Sequence, residues 1–334
     1  NFKRILLTLN DDVRVVLIKL ADRLHNCRTI EFMPEHKRDK ILSETMFVFI
    51  PLAHRLGLYG IKSEMEDIWL RYKEPEAFNE ITAKINRNIN DKDKEITDFI
   101  APIDVALKAA GFKYEIKKRV KTPYSIWNKM NNKGIAFDQI YDLYAVRIIF
   151  DPDVDSKETE RDQCYHVFSI ITGLYRYKAD RVRDWVNYPK NNGYEALHCT
   201  LMSNAGFWIE VQIRSTRMNE IAEKGIAAHW AYKKNGFAEE NESEMDKWIT
   251  KVKDILVNPD VTALELLDMI HNDLIQTDIV VFTPKGEQKS IEKGATALDF
   301  AYSIHSQIGS KAIAAKANLR LVPLSYVLKT GDQI

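Results

Sequence analysis

The run Leu143-Tyr144-Ala145-Val146-Arg147-Ile148-Ile149-Phe150 is apolar and β-branched along its length, which reads as a buried strand. Two more strands follow at Ala196-Leu197-His198-Cys199-Thr200-Leu201-Met202 and Phe207-Trp208-Ile209-Glu210-Val211-Gln212-Ile213-Arg214, with a turn at Asn204-Ala205-Gly206 between them. Alternation along the second puts Ile209, Val211 and Ile213 on one face and Glu210, Gln212 and Arg214 on the other. A strand over Tyr114 to Val120 and helices over Pro123 to Asn131, Lys157 to Gly173 and Thr216 to Lys233 complete the pattern of an α/β domain with a mixed sheet.

The polar residues laid over this frame point to a polyanionic guest. From Phe112 to Gly134 there are seven Lys or Arg and one acid, Glu115, so this corner carries positive potential. Pro123 suits the first turn of the helix that follows the basic strand end. Asp142 sits at the mouth of the buried strand, and a carboxylate there suits Mg²⁺, which takes one or two carboxylates and is completed by substrate phosphates and water. The polar strand face adds Glu210 as a second carboxylate. Between the strands, Arg181-Val182-Arg183-Asp184-Trp185-Val186-Asn187-Tyr188-Pro189-Lys190-Asn191-Asn192-Gly193-Tyr194 is too rich in Pro, Gly and Asn to be regular. Its interleaved cations and aromatics have the composition of a nucleotide pocket.

Arg119-x-Lys121 with Tyr124-Ser125 and Lys129, Tyr141-Asp142-Leu143-x-Ala145-x-Arg147, Pro189-Lys190-x-Asn192-x-Tyr194-x-x-Leu197-His198, Glu210-x-Gln212-x-Arg214 and Gly225-x-Ala227-Ala228-His229-Trp230-x-Tyr232-Lys233 together resemble the long RelA/SpoT (Rel) stringent-response family. The resemblance spans essentially the whole chain, with the motifs in order. It implies a nucleotidyltransferase-like domain that transfers the pyrophosphate of ATP to the 3′-hydroxyl of GDP or GTP, giving AMP and the alarmone (p)ppGpp. Carried over by motif, Asp142 and Glu210 match the family carboxylates, Asp142 as a Mg²⁺ ligand and Glu210 as either a second ligand or the base for the 3′-hydroxyl. Arg119, Lys121 and Lys129 match donor-side residues. Tyr194 matches the residue that stacks on guanine, with Lys190, Asn192 and a positioning His198 beside it. The loop residues Arg181, Arg183 and Asp184 form a basic variant of the Arg-x-Lys-Asp sequence of hydrolase-capable members, which implies a bifunctional parent. Val120 stands where Pro is common and Cys199 where Thr is common.

The flanks extend the resemblance. Asp22 and Asn26, four apart within Ala-Asp-Arg-Leu-His-Asn, share one helical face, where a solvated pair is the ordinary reading. The family match makes them part of a Mn²⁺-dependent HD hydrolase of (p)ppGpp, with Asp22 a metal ligand only in an intact domain. The chain has no His-Asp dipeptide, so that cage is incomplete and hydrolysis is expected to be absent here. A helix over Glu35 to Arg55 stopped by Gly57, a second around Ile61 to Leu70 and two more over Pro75 to Ala110 form a scaffold, in which His36 and His54 read as structural. Glu239 to Glu244 reads as an exposed linker followed by a helical segment. Asp278 to Gly286 reads as a strand and turn, and the segment from Ala295 to His305 as a helix ended by Gly309. This resembles a β-grasp-like TGS domain lacking its last strand, whose tRNA-contacting His matches His305. The expected divisions are 1–75 (HD remnant, all-α), 76–111 (helical connection), 112–236 (synthetase), 237–276 (helical linker) and 277–334 (TGS). The resemblance implies the ribosome and deacylated tRNA as partners of the TGS and later domains. The alternative to an active synthetase is a tRNA- and ribosome-sensing fragment held catalytically idle.

Composition constrains little beyond this. At 334 residues more than one domain is expected, and 48 basic against 48 acidic residues leave only local charge to argue from. Cys27, Cys164 and Cys199 are odd in number and widely spaced, the pattern of free thiols in a reducing compartment. No run approaches a membrane span, so the cytoplasm is the expected location.

Overall fold

In the computed structural model of the chain, residues 13–140, 143–190, 192–225, 228, 278–286 and 288–334 are described. The chain divides into two bodies, residues 1–267 and 268–334. Asp142, the motif residues Ala227, His229, Trp230, Tyr232 and Lys233, and the linker expected over 237–276 lie outside the described residues.

The first body begins with helices α1 (Val13–Arg28), α2 (Glu35–Glu44), α3 (Ile50–Arg55) and α4 (Tyr59–Lys73). A π-helical turn, Thr45–Phe49, joins α2 to α3. The two helices expected between Pro75 and Ala110 are one, α5 (Pro75–Ala109), which runs 35 residues with Pro102 in its interior. Asn88 to Asp93 form a polar middle. The apolar stripe Ile81, Ile85, Ile96, Phe99, Ile103 and Leu107 keeps helical spacing across it, and all six are buried in the core, so packing outweighs the local preference.

The sheet follows. Strands β1 (Lys113–Val120), β2 (Tyr144–Asp151), β3 (Arg183–Asp184), β4 (Leu197–Met202) and β5 (Trp208–Ser215) lie in the order β1-β2-β5-β4-β3. β2 and β5 are parallel and the other pairs antiparallel, the expected mixed sheet. β3 is a two-residue edge strand inside the loop expected to be irregular. Helices α6 (Pro123–Lys133), α7 (Glu160–Leu174) and α8 (Thr216–Lys224) alternate with these strands. One sheet face, carrying Val146, Ile148, Phe150, Val211, Ile213, Cys199 and Leu201, forms the core with Cys164, Val167 and Ile171 of α7 and the stripe of α5. The three cysteines are buried free thiols, as expected.

The second body pairs β6 (Asp278–Phe282) with β7 (Gln288–Glu292) and β8 (Ala315–Ala317) with β9 (Arg320–Val322), around a core of Ile279, Val281, Ala297, Phe300 and Leu328. Helix α9 (Ala297–Ile304) is capped by Thr296, whose hydroxyl accepts from the Asp299 N–H. Gly309 does not end it. His305 breaks the helix in an extended conformation and caps a second, α10 (Ser306–Lys311), by accepting the Gln307 N–H at Nδ1 (3.1 Å). Gly309 lies within α10 under the Tyr302 ring, where a Cβ would come within 2.4 Å of that ring.

Candidate functional site

The site is built on the sheet face opposite the core. Strand register carries one row across the sheet from Arg119 through Ala145 and Glu210 to Thr200. A second row runs beside it from Lys117 through Arg147, Gln212 and His198 to Arg183, with one residue from each strand. A period of two therefore converts five separated segments into one polar surface. Helix α8 covers part of it: Glu223 accepts from Arg147 Nη1 at 2.6 Å.

The expected register of Glu210, Gln212 and Arg214 is present as bonded contacts. Gln212 Nε2 donates to Glu210 Oε1 (2.7 Å), and Arg214 donates to Gln212 Oε1 (3.2 Å) and to the Tyr194 hydroxyl. His198 Nε2 meets that hydroxyl at 2.7 Å, while Nδ1 lies 3.3 Å from Glu210 Oε1. His198 thus bridges Tyr194 and Glu210. Burial pushes its pKa down against the pull of Glu210, which favours a neutral ring donating to the carboxylate from Nδ1. Burial alone would raise the Glu210 pKa, yet the contacts with His198 and Gln212 and the charge of Lys121 bring it down to about 2. Glu210 is an ionised acceptor at neutral pH.

Tyr194 is buried, and its ring is surrounded. The Arg214 guanidinium lies 4.7 Å and the Lys190 ammonium 5.0 Å from its centroid, and the Tyr59 ring packs edge-on at 6.0 Å. Lys190 also lies 4.8 Å from the Trp185 ring; it is exposed as a residue, and partial desolvation of its ammonium, with the nearby Arg214 charge, lowers its pKa. Asn192 donates to the Tyr59 hydroxyl at 2.5 Å and accepts from the Tyr194 N–H at 3.3 Å. The four residues expected on the acceptor side are therefore brought together.

Arg119 is exposed on β1, two places along the strand from Lys117 and in line with Glu210 across β2. The N–H of Lys121 donates to the Leu143 carbonyl (3.0 Å), so the basic strand end continues alongside the start of β2. Lys129 lies on α6, whose first turn is held by Thr122 as N-cap and by Asp67 of α4, which accepts the Tyr124 N–H at 2.9 Å. Arg183 turns back onto its own loop, donating to the Asp180 and Val182 carbonyls, while Arg181 lies in the short turn Ala179–Arg181 before it. Asp184 points at α7, where Tyr165 donates to it. On α1, Asn26 donates to Asp22 at 3.3 Å on an exposed face, so the pair shares a face as the spacing implies. Among the described residues no group of three or more His, Cys, Asp or Glu could hold a metal ion.

Sequence reading missed Tyr59 and the pairing of Arg147 with Glu223, whereas His54 was read as structural. The Tyr59 hydroxyl meets Asn192 across 133 residues, a pairing with no local signal. The His54 ring packs edge-on against Tyr59 at 5.6 Å, and burial lowers its pKa to about 4.

Three family models match the chain: a region found in RelA / SpoT proteins over residues 118–237, the TGS domain over 279–334 and an HD domain over 1–59. A GTP pyrophosphokinase of Myxococcus xanthus is 39% identical over the whole chain, which covers 43% of that protein. A guanosine-3′,5′-bis(diphosphate) 3′-pyrophosphohydrolase of Aquifex aeolicus is 36% identical, with 47% of it covered, and the GTP pyrophosphokinase of Escherichia coli K12 is 38% identical, with 44% covered. The chain thus spans less than half the length of these curated relatives. The small alarmone synthetase 2 of Bacillus subtilis aligns over 57% of this chain and 94% of its own at 22% identity, with a TM-score of 0.32, too low for the likeness to bear on the site. With a RelA/SpoT region following an HD match and preceding a TGS domain, and with identity to such proteins along its full length, the chain belongs to the RelA/SpoT family.

Proposed function

We propose that this chain is a (p)ppGpp synthetase of the stringent response, transferring the pyrophosphate of ATP to the 3′-hydroxyl of GDP or GTP. The observation that carries the reading is one sheet face on which Arg119 and an ionised Glu210 share a row, next to a pocket of Tyr194, Lys190, Asn192 and His198. Cations, a carboxylate and a ring are what the chemistry asks for: charge compensation on the donor phosphates, an oriented hydroxyl and a platform for a base. Arg119, Lys121 and Lys129 are assigned to the donor, where Arg can stack or grip phosphates bidentately and Lys acts as a point charge. Tyr194, Lys190, Asn192 and His198 are assigned to the acceptor.

Glu210 could act as base or as metal ligand, and the lowering of its pKa by His198, Gln212 and Lys121 supports the second. A carboxylate with a pKa of about 2 is poorly matched to accept a proton at neutral pH, so it better suits a ligand's role. Its donor chemistry, an ionised oxygen set among polar groups, fits Mg²⁺, with Asp142 as the second carboxylate in this reading. Mg²⁺, when bound, supplies positive charge to the donor's phosphates. Asp22 and Asn26 alone fall short of a Mn²⁺ cage, and we derive no hydrolytic step for this chain; a bifunctional parent is supported by the HD match and the Aquifex aeolicus relative. Cytoplasmic placement follows from these nucleotide substrates and accords with the free thiols. Contact of the second body with deacylated tRNA through His305, on the ribosome, is the corresponding reading of the TGS domain.

The test is synthesis from labelled ATP, GDP and Mg²⁺, with products separated by chromatography, for the chain and for Asp142→Asn. We expect (p)ppGpp from the first and none from the second. No product from the folded, unaltered chain would overturn the synthetase reading in favour of an idle sensing fragment.

A further inference from the structure

Three of the four residues assigned to the acceptor nucleotide, Lys190, Asn192 and Tyr194, sit on the connection that leaves the sheet at Asp184 and returns at Leu197. It springs from β3, a two-residue edge strand, so the ladder supplies little to hold it. Side chains hold it instead, and they do so at both stems.

At the first stem the Asp184 carboxylate gathers four hydrogen bonds. The N–H groups of Val186 and Asn187 donate to Oδ1 (3.2 and 3.0 Å). The Tyr165 hydroxyl and the Asn187 amide donate to Oδ2 (2.5 and 2.7 Å). Asn187 Nδ2 also lies 2.5 Å from the Tyr165 hydroxyl, closing a three-membered ring of side chains. At the second stem Arg217 of α8 takes Glu195 in a bidentate grip (3.0 and 2.6 Å) and reaches Glu160 with Nε (2.9 Å). Glu160 and Tyr165 both belong to the first turns of α7, whose Cys164, Val167 and Ile171 are fully buried in the core. Both ends of the loop are thereby referred to one rigid helix.

We propose that Tyr165 is a positioning residue for the acceptor nucleotide: acting through Asp184 and Asn187, it fixes the loop that carries Lys190, Asn192 and Tyr194 without itself touching substrate. Asp184 then serves as the anchor of the loop. This rests on the synthetase reading, and it assigns a function to a tyrosine that lies in none of the motifs from which that reading was made. A bond from a phenol to a carboxylate is charge-assisted, so its loss should be felt where the loop meets the nucleotide.

The experiment compares Tyr165→Phe, Asp184→Asn and the double variant in the full chain, measuring KM for GDP, KM for ATP, kcat and thermal melting. Tyr165→Phe keeps the ring and removes only the hydroxyl. We expect the KM for GDP to rise about five- to tenfold, with KM for ATP and kcat nearly unchanged and the melting temperature lowered only by the loss of one hydrogen bond. The double variant should be little worse than the worse single one, because both remove the same bond. An unchanged KM for GDP, equal rises for both substrates, or a variant already partly unfolded at the assay temperature would each overturn the proposal. Binding of a fluorescent GDP analogue repeats the comparison without turnover. An unaltered chain that neither reacts nor binds the analogue would sink the synthetase reading and this role with it, whereas a normal unaltered chain with an indifferent Tyr165→Phe would sink this role alone.

Discussion

His54 shows how much a single buried ring contributes. Its pKa is lowered from 6.5 to about 4, chiefly by burial, with Lys62, Lys190 and Arg55 adding like charge. The folded state therefore resists a proton that the unfolded chain accepts below pH 6.5. Stability from this group is complete above pH 6.5 and is lost as pH falls from there to 4, an effect of about 3 kcal/mol. His54→Phe should flatten the fall in melting temperature between pH 7 and pH 4, and an unchanged pH profile would show that the ring is solvated. At Tyr194, stacking on a base is worth about 1 to 3 kcal/mol. Tyr194→Ala should accordingly raise the KM for GDP by roughly tenfold or more and the KM for ATP far less; the opposite order would remove the ring from the acceptor side.

Elements meet at one close backbone crossing. Gly225, just past α8, has φ +54°, and a Cβ there would lie 2.2 Å from the Leu56 carbonyl oxygen and 2.7 Å from the Gly57 carbonyl carbon. Neither is a flexible side-chain end, so the crossing would have to open. Gly225→Ala should cost about 2 to 4 kcal/mol in chemical denaturation. It should also loosen Tyr59 from Asn192, since Tyr59 opens α4 two residues after Gly57. An alanine variant as stable as the unaltered chain would mean that the two helices slide freely. The same crossing explains why the helical segment lies so near the acceptor pocket.

For the whole molecule, the proposed sensor is separable from the proposed enzyme. tRNA binding to the intact chain should weaken steeply with added salt, because each phosphate neutralised by Lys or Arg releases counterions. His305→Ala should reduce that binding, although its cap of α10 is lost as well, so melting must be followed alongside. Absence of tRNA binding at low salt would end the sensor reading and leave synthesis untouched.

Much of this was legible in the chain. The strands after Leu143 and Trp208 and the shared face of Glu210, Gln212 and Arg214 follow from a period-two pattern, which is local and survives any tertiary arrangement. The Thr122 and Pro123 start of α6 is equally local. The single long α5 was not legible, because its polar middle argues for a break and only burial of the stripe against the sheet overrides it. Nor were Tyr59 against Tyr194, Arg147 against Glu223 or Tyr165 against Asp184, which join segments 19 to 135 residues apart. Sequence by itself determined which chemical groups the sheet would display, since side-chain alternation is set residue by residue. Only the tertiary structure decided which groups from distant helices close over them, since those contacts arise from the packing of whole elements.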